Sequence, residues 1–251
     1  MLFKEKEPAA EPERNSAGAE EPLYAGMTPD ELRRALAFAE KKLQLVGSVT
    51  RHDVLNQLTA IVGYNELLGM MIEDPKLLTY LEREKNAVDK IRRQFAFAKD
   101  YQNIGALPPA WLPLRQLIHQ AGEEVDLRPV QIADETGQAA IFADPQLGKA
   151  MIQILDNTKR HGVKATRIRI FLQDGPAGDT QLVFEDDGEG IPAGDKTKIF
   201  ERGFGKGTGW GLFLVREILS FCGMTIRETG EPGKGARLEI SIPEEKIKKN
   251  G

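Results

Sequence analysis

Leu182-Val183-Phe184-Glu185-Asp186-Asp187-Gly188-Glu189-Gly190-Ile191-Pro192 reads as a short β-strand that runs straight into an acidic turn punctuated by glycines. Glycines let a backbone approach a flat ligand closely, and an aspartate there can accept a hydrogen bond from an exocyclic amine. Taken alone, the stretch is equally a strand followed by an acidic turn. A calcium loop is excluded, because oxygen ligands do not continue at the required spacing to a closing glutamate.

Outward from this stretch, β-type runs alternate with helical ones. Val130-Gln131-Ile132, Arg167–Leu172, Gln181–Phe184 and Arg237–Ile242 read as strands, and helices are predicted near 114–124, 145–160 and 209–222. Such interleaving predicts an α/β sandwich, one sheet carrying helices on one face. Upstream, Ile152-Gln153-Ile154-Leu155-Asp156-Asn157-Thr158-Lys159-Arg160-His161 is helical. The Asn157 amide oxygen could reach a metal ion there, and Lys159 and Arg160 could neutralise phosphate; a solvated helix end is the plainer alternative. Downstream, Gly203-Phe204-Gly205-Lys206-Gly207-Thr208-Gly209-Trp210-Gly211-Leu212 leads into a helix. A glycine-rich loop at a helix N-terminus offers free N–H groups and a positive dipole end to phosphates. It is neither a Walker A loop, lacking Gly-Lys-Ser/Thr, nor a dinucleotide fingerprint, lacking a strand immediately before it.

The N-terminal half has a different rhythm. Residues 1–26, rich in Glu, Ala, Pro and Gly, show no apolar period and are expected to form a disordered tail. Thr28-Pro29-Asp30-Glu31 has the form of a capping box with proline at the first helical position. Apolar residues then step by three and four through Leu32, Leu36, Ala39, Leu43 and Val46, and again through Val54, Leu58, Ile61, Asn65, Leu68 and Ile72. This spacing predicts one long helix with a coiled-coil-like seam, ended by Asp74-Pro75. A second helix, with Leu77, Leu78, Leu81, Val88, Ile91, Phe95 and Ala98 on its buried side, is expected to end near Gly105. Two such helices do not close a core alone, so pairing with a second copy into a four-helix bundle is the natural solution. The domain boundary is expected at about 105–112.

Composition narrows the function classes. The 251 residues carry a net charge of −4, which suggests no nucleic-acid partner. The single cysteine, Cys222, excludes an internal disulfide framework and a multi-cysteine zinc site. It lies in an apolar stretch and reads as a buried structural thiol. No run reaches the roughly 18 apolar residues of a membrane span, and the N-terminus lacks a signal-peptide core, so no membrane insertion and a cytoplasmic location are expected.

His52 lies nine residues beyond Leu43, about 900° of helix, which puts it half a turn from the seam and in solvent. In His52-Asp53-Val54-Leu55-Asn56 the neighbouring carboxylate can take a proton from the imidazole or hold its tautomer, leaving one ring nitrogen nucleophilic. Asn56, one turn on, points to the same side and could orient a water. Alone, this is an exposed histidine and nothing more.

Together and in this order, the motifs closely resemble those of the sensor histidine kinases of two-component systems, over about residues 28–243. The resemblance rests on an H-box at His52, an N-box at Asn157, a G1 box at Asp186-x-Gly188-x-Gly190, an F-box at Ile199–Phe204, a G2 box at Gly207-x-Gly209-x-Gly211 and a G3-like turn at Glu231–Gly235. The His-Asp-x-x-Asn form and the short glycine loop are similar to those of soluble kinases common in archaea. The resemblance implies a dimeric four-helix bundle followed by an α/β sandwich of the Bergerat or GHKL ATPase type. It implies a tail at 1–26, a dimerisation and histidine phosphotransfer domain at 27–106, an ATP-binding catalytic domain at 113–245 and a tail at 246–251.

By the same resemblance, ATP and Mg²⁺ are the cofactors, and His52 is the phosphoacceptor, with Asp53 its base and Asn56 a phosphatase residue. Asp186, helped by Gly188 and Gly190, would bind the adenine amine. Asn157 would hold Mg²⁺ together with Gln153, and Arg160 and His161 would lie beside ATP. Lys206, Gly207, Thr208, Gly209, Gly211 and Leu212 would form the lid over the triphosphate, with Phe200 and Phe204 anchoring it. The implied activity is autophosphorylation of His52, transfer to a response-regulator receiver domain, and dephosphorylation of that regulator by a homodimer. The tail at 1–26 is too short for a ligand-sensing domain, so the expectation is that either the input arrives through a separate sensor protein or the chain has lost its sensor.

Three positions depart from the family pattern. Gln153 stands where a second asparagine is usual, moving the amide outward by about 1.5 Å, and a loss of up to ~10²-fold in activity is conceivable on positioning grounds. Thr158 replaces the usual small residue, and Ala236 stands where threonine is common. The competing reading is a phosphotransfer or scaffold dimer whose ATP domain has weakened or decayed; the intact glycines and Asp186 argue against it. Of the remaining residues, His119 reads as structural or surface, and Trp111 as packing the linker. Lys85, Lys90, Arg92, Arg93 and Lys99 form either a solvated face or a contact for an acidic regulator surface.

Overall fold

The computed structural model describes residues 26–162, 164–176, 178–205 and 209–249. Two compact units meet at Ser48–Val49. Helix α1 (Pro29–Met71) starts where the capping box places it. The Thr28 hydroxyl accepts from the Glu31 amide at 3.3 Å, and the Glu31 carboxylate accepts from the Thr28 amide at 2.8 Å. The seam residues Leu36 and Leu43 are 62% and 67% exposed.

From Val49 onward, α1 runs to Met71 and the chain turns into α2 (Pro75–Gln102), whose Asp74 N-cap accepts from the Lys76 amide at 2.8 Å. Asn65, a member of the apolar stripe, donates from its amide to the Leu81 carbonyl at 3.1 Å and so ties the two helices together. Leu58 and Val88 are buried, whereas Ile61, Leu68, Leu77, Leu78 and Ile91 stay exposed. Among the described residues, no helix is long and apolar enough to cross a membrane.

The remainder is mixed α/β. Its elements are β1 (Ala110–Pro113), α3 (Leu114–Val125), β2 (Gln131–Glu135), β3 (Ala140–Ala143), α4 (Leu147–His161), β4 (Arg167–Asp174), β5 (Thr180–Asp186), a 3₁₀ turn at Lys198–Phe200, α5 (Gly211–Phe221), β6 (Thr225–Glu228), β7 (Arg237–Ile242) and β8 (Ile247–Lys248). Five strands form one sheet in the order β2-β4-β5-β7-β6, with β2 and β4 parallel and every other pair antiparallel. Ile168, Ile170, Leu182, Phe184, Leu238 and Ile240 point from it into the core, against Leu114 and Ile118 of α3, Met151, Ile154 and Leu155 of α4, and Leu214, Ile218 and Leu219 of α5. Each such side chain contributes about 1.5–3 kcal/mol by leaving water. Alternation along β4 and β7 leaves Arg169, Phe171, Arg237 and Glu239 on the other face.

Three expectations change. A second sheet, β1-β3-β8, accompanies the single one expected, and its strands of two to four residues are too short to show a period. Residues 246–251, read as a tail, contain β8, which pairs with β3. Trp111 belongs to β1, where its ring packs 5.4 Å from that of Phe142 and under the Lys248 ammonium, rather than against the linker. Cys222 is buried as expected; burial raises its thiol pKa, and its sulfur accepts from the Asp144 amide.

Candidate functional site

Strand β5 ends at Asp186, whose side chain is held from three directions. Its Oδ1 accepts from the amides of Gly188 and Ala236, each at 3.0 Å, and its Oδ2 accepts from the Thr158 hydroxyl at 3.4 Å. The residue is 7% exposed. Such anchoring fixes the direction of the carboxylate.

Glycines let the surrounding backbone close on this point. A Cβ at Gly188 would lie 3.1 Å from both Asp186 Oδ1 and the Gly162 Cα, between the end of β5 and the end of α4. Gly190 has φ +72°, and a Cβ there would meet the carbonyls of Gly235 and Glu231 at 2.8 and 2.9 Å. Gly235 has φ +112°, and its Cβ would fall 1.8 Å from the Asp186 carbonyl oxygen. The Gly233 amide donates to the Glu189 carbonyl at 2.7 Å. The β6–β7 turn is thus folded backbone-to-backbone against the Asp186–Gly190 loop, and the two form a cradle in which a side chain at these glycines would clash.

Asp187, next in sequence, faces the start of β4. Its carboxylate accepts from the Thr166 hydroxyl at 2.5 Å and from the amides of Thr166 and Arg167. These donors, the Thr166 hydroxyl foremost, lower its pKa to about 2.

Helix α4 presents Asn157 half-buried, immediately before Thr158. One turn earlier, the Gln153 amide oxygen lies 2.7 Å from where a Cβ on Gly211 would be, so it faces the N-terminus of α5. Among the described residues, no group of three or more His, Cys, Asp or Glu side chains is placed to hold a metal, so a cation here would draw on amide oxygens and on a ligand's own phosphates. Arg160 pairs with Asp156 at 2.7 Å, and His161 is exposed in the last turn. The Lys159 ammonium donates to the Val125 carbonyl at 2.7 Å, tying α4 to the end of α3.

Beyond the cradle, Phe200 is buried and Phe204 half-buried. The Gly203 amide donates to the Gly209 carbonyl at 3.0 Å, and a Cβ at Gly209 (φ +64°) would lie 2.4 Å from the Gly203 carbonyl carbon. The two ends of the glycine loop are therefore in close contact. Lys206, Gly207 and Thr208 lie outside the described residues. Helix α5 begins at Gly211 rather than 209, and the Leu212 side chain is buried in the core, which leaves only its backbone available to a ligand. Trp210 packs 4.6 Å from Phe97 of α2 and beneath the Arg202 guanidinium.

His52 lies on α1 with its side chain 75% exposed. Its Nδ1 is 3.2 Å from an Asp53 carboxylate oxygen, and the Asn56 amide nitrogen is 3.3 Å from the same atom. With the proton on Nδ1 and shared with Asp53, the lone pair is on Nε2, which the Asn56 amide nitrogen approaches at 3.4 Å. The neighbouring Arg51 bonds the Gln102 side chain at 2.5 Å, which braces this stretch of α1 on the last turn of α2.

Sequence reasoning missed several participants. Thr158 was a departure without a role, and the Ala236 amide and the pair Lys196–Glu228 had no signal at all. Glu228 ends a short strand, and its partner is 32 positions earlier; only the fold brings them together.

Residues 143–246 match the family described as histidine kinase-, DNA gyrase B- and HSP90-like ATPase. The chain is 30% identical over 233 residues to the signal transduction histidine-protein kinase AtoS of Escherichia coli (strain K12), an alignment covering 85% of this chain and 37% of that protein. It is 27% identical over 243 residues to the sensory histidine kinase/phosphatase NtrB of Rhodobacter capsulatus, covering 87% and 65%. It thus spans less than two thirds of either relative. Among solved structures, full-length ShkA in complex with AMPPNP superposes with a TM-score of 0.56 at 18% identity, over 78% of this chain and 45% of that one, a likeness of fold.

Proposed function

The chain belongs to the sensor histidine kinases, with a GHKL-type ATPase domain, and from that premise we propose that it uses ATP to phosphorylate its own His52 and passes the phosphoryl group to a response-regulator aspartate. The observation that carries this reading is the Asp186 cradle: a carboxylate of fixed direction where glycine backbone of the 186–190 loop meets that of the β6–β7 turn. In this reading Asp186 accepts from the adenine amine, and Gly188, Gly190 and Gly235 admit the flat base.

Asn157 and Gln153 are the residues suited to hold Mg²⁺, which when bound would neutralise phosphate charge. Gly209, Gly211 and the Leu212 backbone take the nucleotide's phosphates, with Phe200 and Phe204 behind them, and Arg160 and His161 flank the nucleotide; the phosphate-binding roles of Lys206, Gly207 and Thr208 rest on the family resemblance. The step itself is an in-line displacement: the Nε2 lone pair of His52 attacks the γ-phosphorus, the bond to the β–γ bridging oxygen breaks, and ADP leaves with that electron pair. Asp53 keeps the proton of the resulting imidazolium on Nδ1. Asn56 then serves the reverse task, orienting a water against the phosphorylated regulator.

We assign 27–106 to dimerisation and phosphotransfer and 113–245, extended by β8, to catalysis. The exposed apolar positions of α1 and α2 support a homodimeric four-helix bundle. Incubation with γ-labelled ATP and Mg²⁺, followed by a receiver domain, tests the reading. Label should enter the chain in acid-labile form and move to the receiver. In Asn56→Ala, labelling should be intact while loss of label from the receiver slows. A chain that binds ATP but never becomes labelled would overturn the proposal.

A further inference from the structure

The buried carboxylate of Glu228 has no part in the chemistry above, yet it stands at the hinge of the cradle. Its side chain is 0% exposed. Its Oε1 accepts from the amides of Gly230 at 3.0 Å and Arg237 at 3.2 Å, the two ends of the β6–β7 turn. Its Oε2 faces the Lys196 ammonium at 2.9 Å, and the same ammonium donates to the Gly230 carbonyl. Lys196 follows the Gly188–Gly190 loop and precedes the 3₁₀ turn that buries Phe200. One ion pair therefore joins the chain leaving the cradle's floor to the turn that forms its roof.

A buried ion pair adds little stability over a well-packed apolar pair, because desolvation offsets much of its attraction. What it supplies is geometry: a carboxylate away from water needs every one of its donors, so the turn and the 196 segment keep one arrangement. The roof so held includes Gly235, Glu231 and the Ala236 amide, the groups that touch Gly190 and Asp186.

We propose that Glu228 and Lys196 are positioning residues for the adenine-binding cradle, setting nucleotide affinity and leaving the phosphoryl-transfer step untouched. This rests on the reading of the Asp186 cradle as the adenine site. The test uses the full chain and four variants: Glu228→Gln, Lys196→Met, the double variant, and Glu228→Asp, which keeps the charge but withdraws the carboxylate by about 1.5 Å.

Calorimetric Kd for ATP with Mg²⁺, KM and kcat of autophosphorylation, and the thermal midpoint are measured for each. Each single variant is expected to raise Kd and KM about tenfold with kcat at saturating ATP unchanged, and the double variant to recover most of the affinity. If Glu228→Gln and Lys196→Met do not fold, the double variant and Glu228→Asp make the same comparison. Affinities within about twofold of wild type in folded variants, a fall in kcat in place of KM, or a double variant no better than the worse single would each overturn the proposal. A wild-type chain that does not bind ATP would instead overturn the adenine assignment beneath it.

Discussion

Thr158 and Asp186 are 28 positions apart, and a single hydroxyl joins them. The threonine donates to Oδ2 and leaves the rest of that oxygen's acceptor capacity for a ligand. Thr158→Val keeps the shape and removes the donor, so ATP affinity should fall about three- to tenfold, in line with one long hydrogen bond of about 0.5–1.5 kcal/mol; calorimetry with ATP measures it. Asp187 makes a prediction of a different kind. Its pKa is about 2 in the folded chain against an ordinary value near 3.8. A depressed carboxylate pKa gives stability that is present above the unfolded value and is lost as pH falls through the folded one. Acid unfolding of Asp187→Ala should therefore show a shallower loss of stability between pH about 4 and about 2 than the wild type. At this scale, the sequence revealed Asp186 and its glycines because their chemistry is written in adjacent residues. It hid Thr158, the Ala236 amide and Glu228 because each acts on a partner brought close only by the register of α4, β5 and β7.

Helices α1 and α2 were legible from end to end, since a repeat of three and four over many turns leaves no competing period, and the caps at Thr28 and Asp74 mark their starts. The apolar stripe nevertheless counted Asn65 among its members without a reason, and the structure supplies one in the bond to the Leu81 carbonyl. A part-buried amide of that kind fixes the register of one helix on the other. Asn65→Ala should weaken the hairpin by about 1 kcal/mol, read as faster amide exchange near Leu81 in hydrogen-exchange measurements. The stripe also missed Phe97. It packs on Trp210 and lies near Phe213, because one face of the last turns of α2 packs on α5 while Gln102 on another still bonds Arg51 of α1. Strands β1, β3, β6 and β8 escaped reading for a plainer reason: in runs of two to four residues, alternation cannot be told from chance.

At the scale of the whole molecule, the unpartnered apolar faces of α1 and α2 support association with a second copy. Leu36 and Leu43 recur at heptad spacing and remain in water. Replacing both with glutamate should convert a dimer to a monomer in analytical ultracentrifugation while the ATP-binding half keeps its affinity. A dimer that survives this change would locate the interface elsewhere. The central claim is narrower and rests on one side chain, the imidazole of His52. Peptide mapping of the chain after reaction with ATP and Mg²⁺, kept at alkaline pH so that a phosphoramidate survives, tests it most directly. The phosphoryl group is expected on the peptide that contains His52 and nowhere in His52→Ala. Phosphate on any other residue, or persisting in that variant, would contradict it.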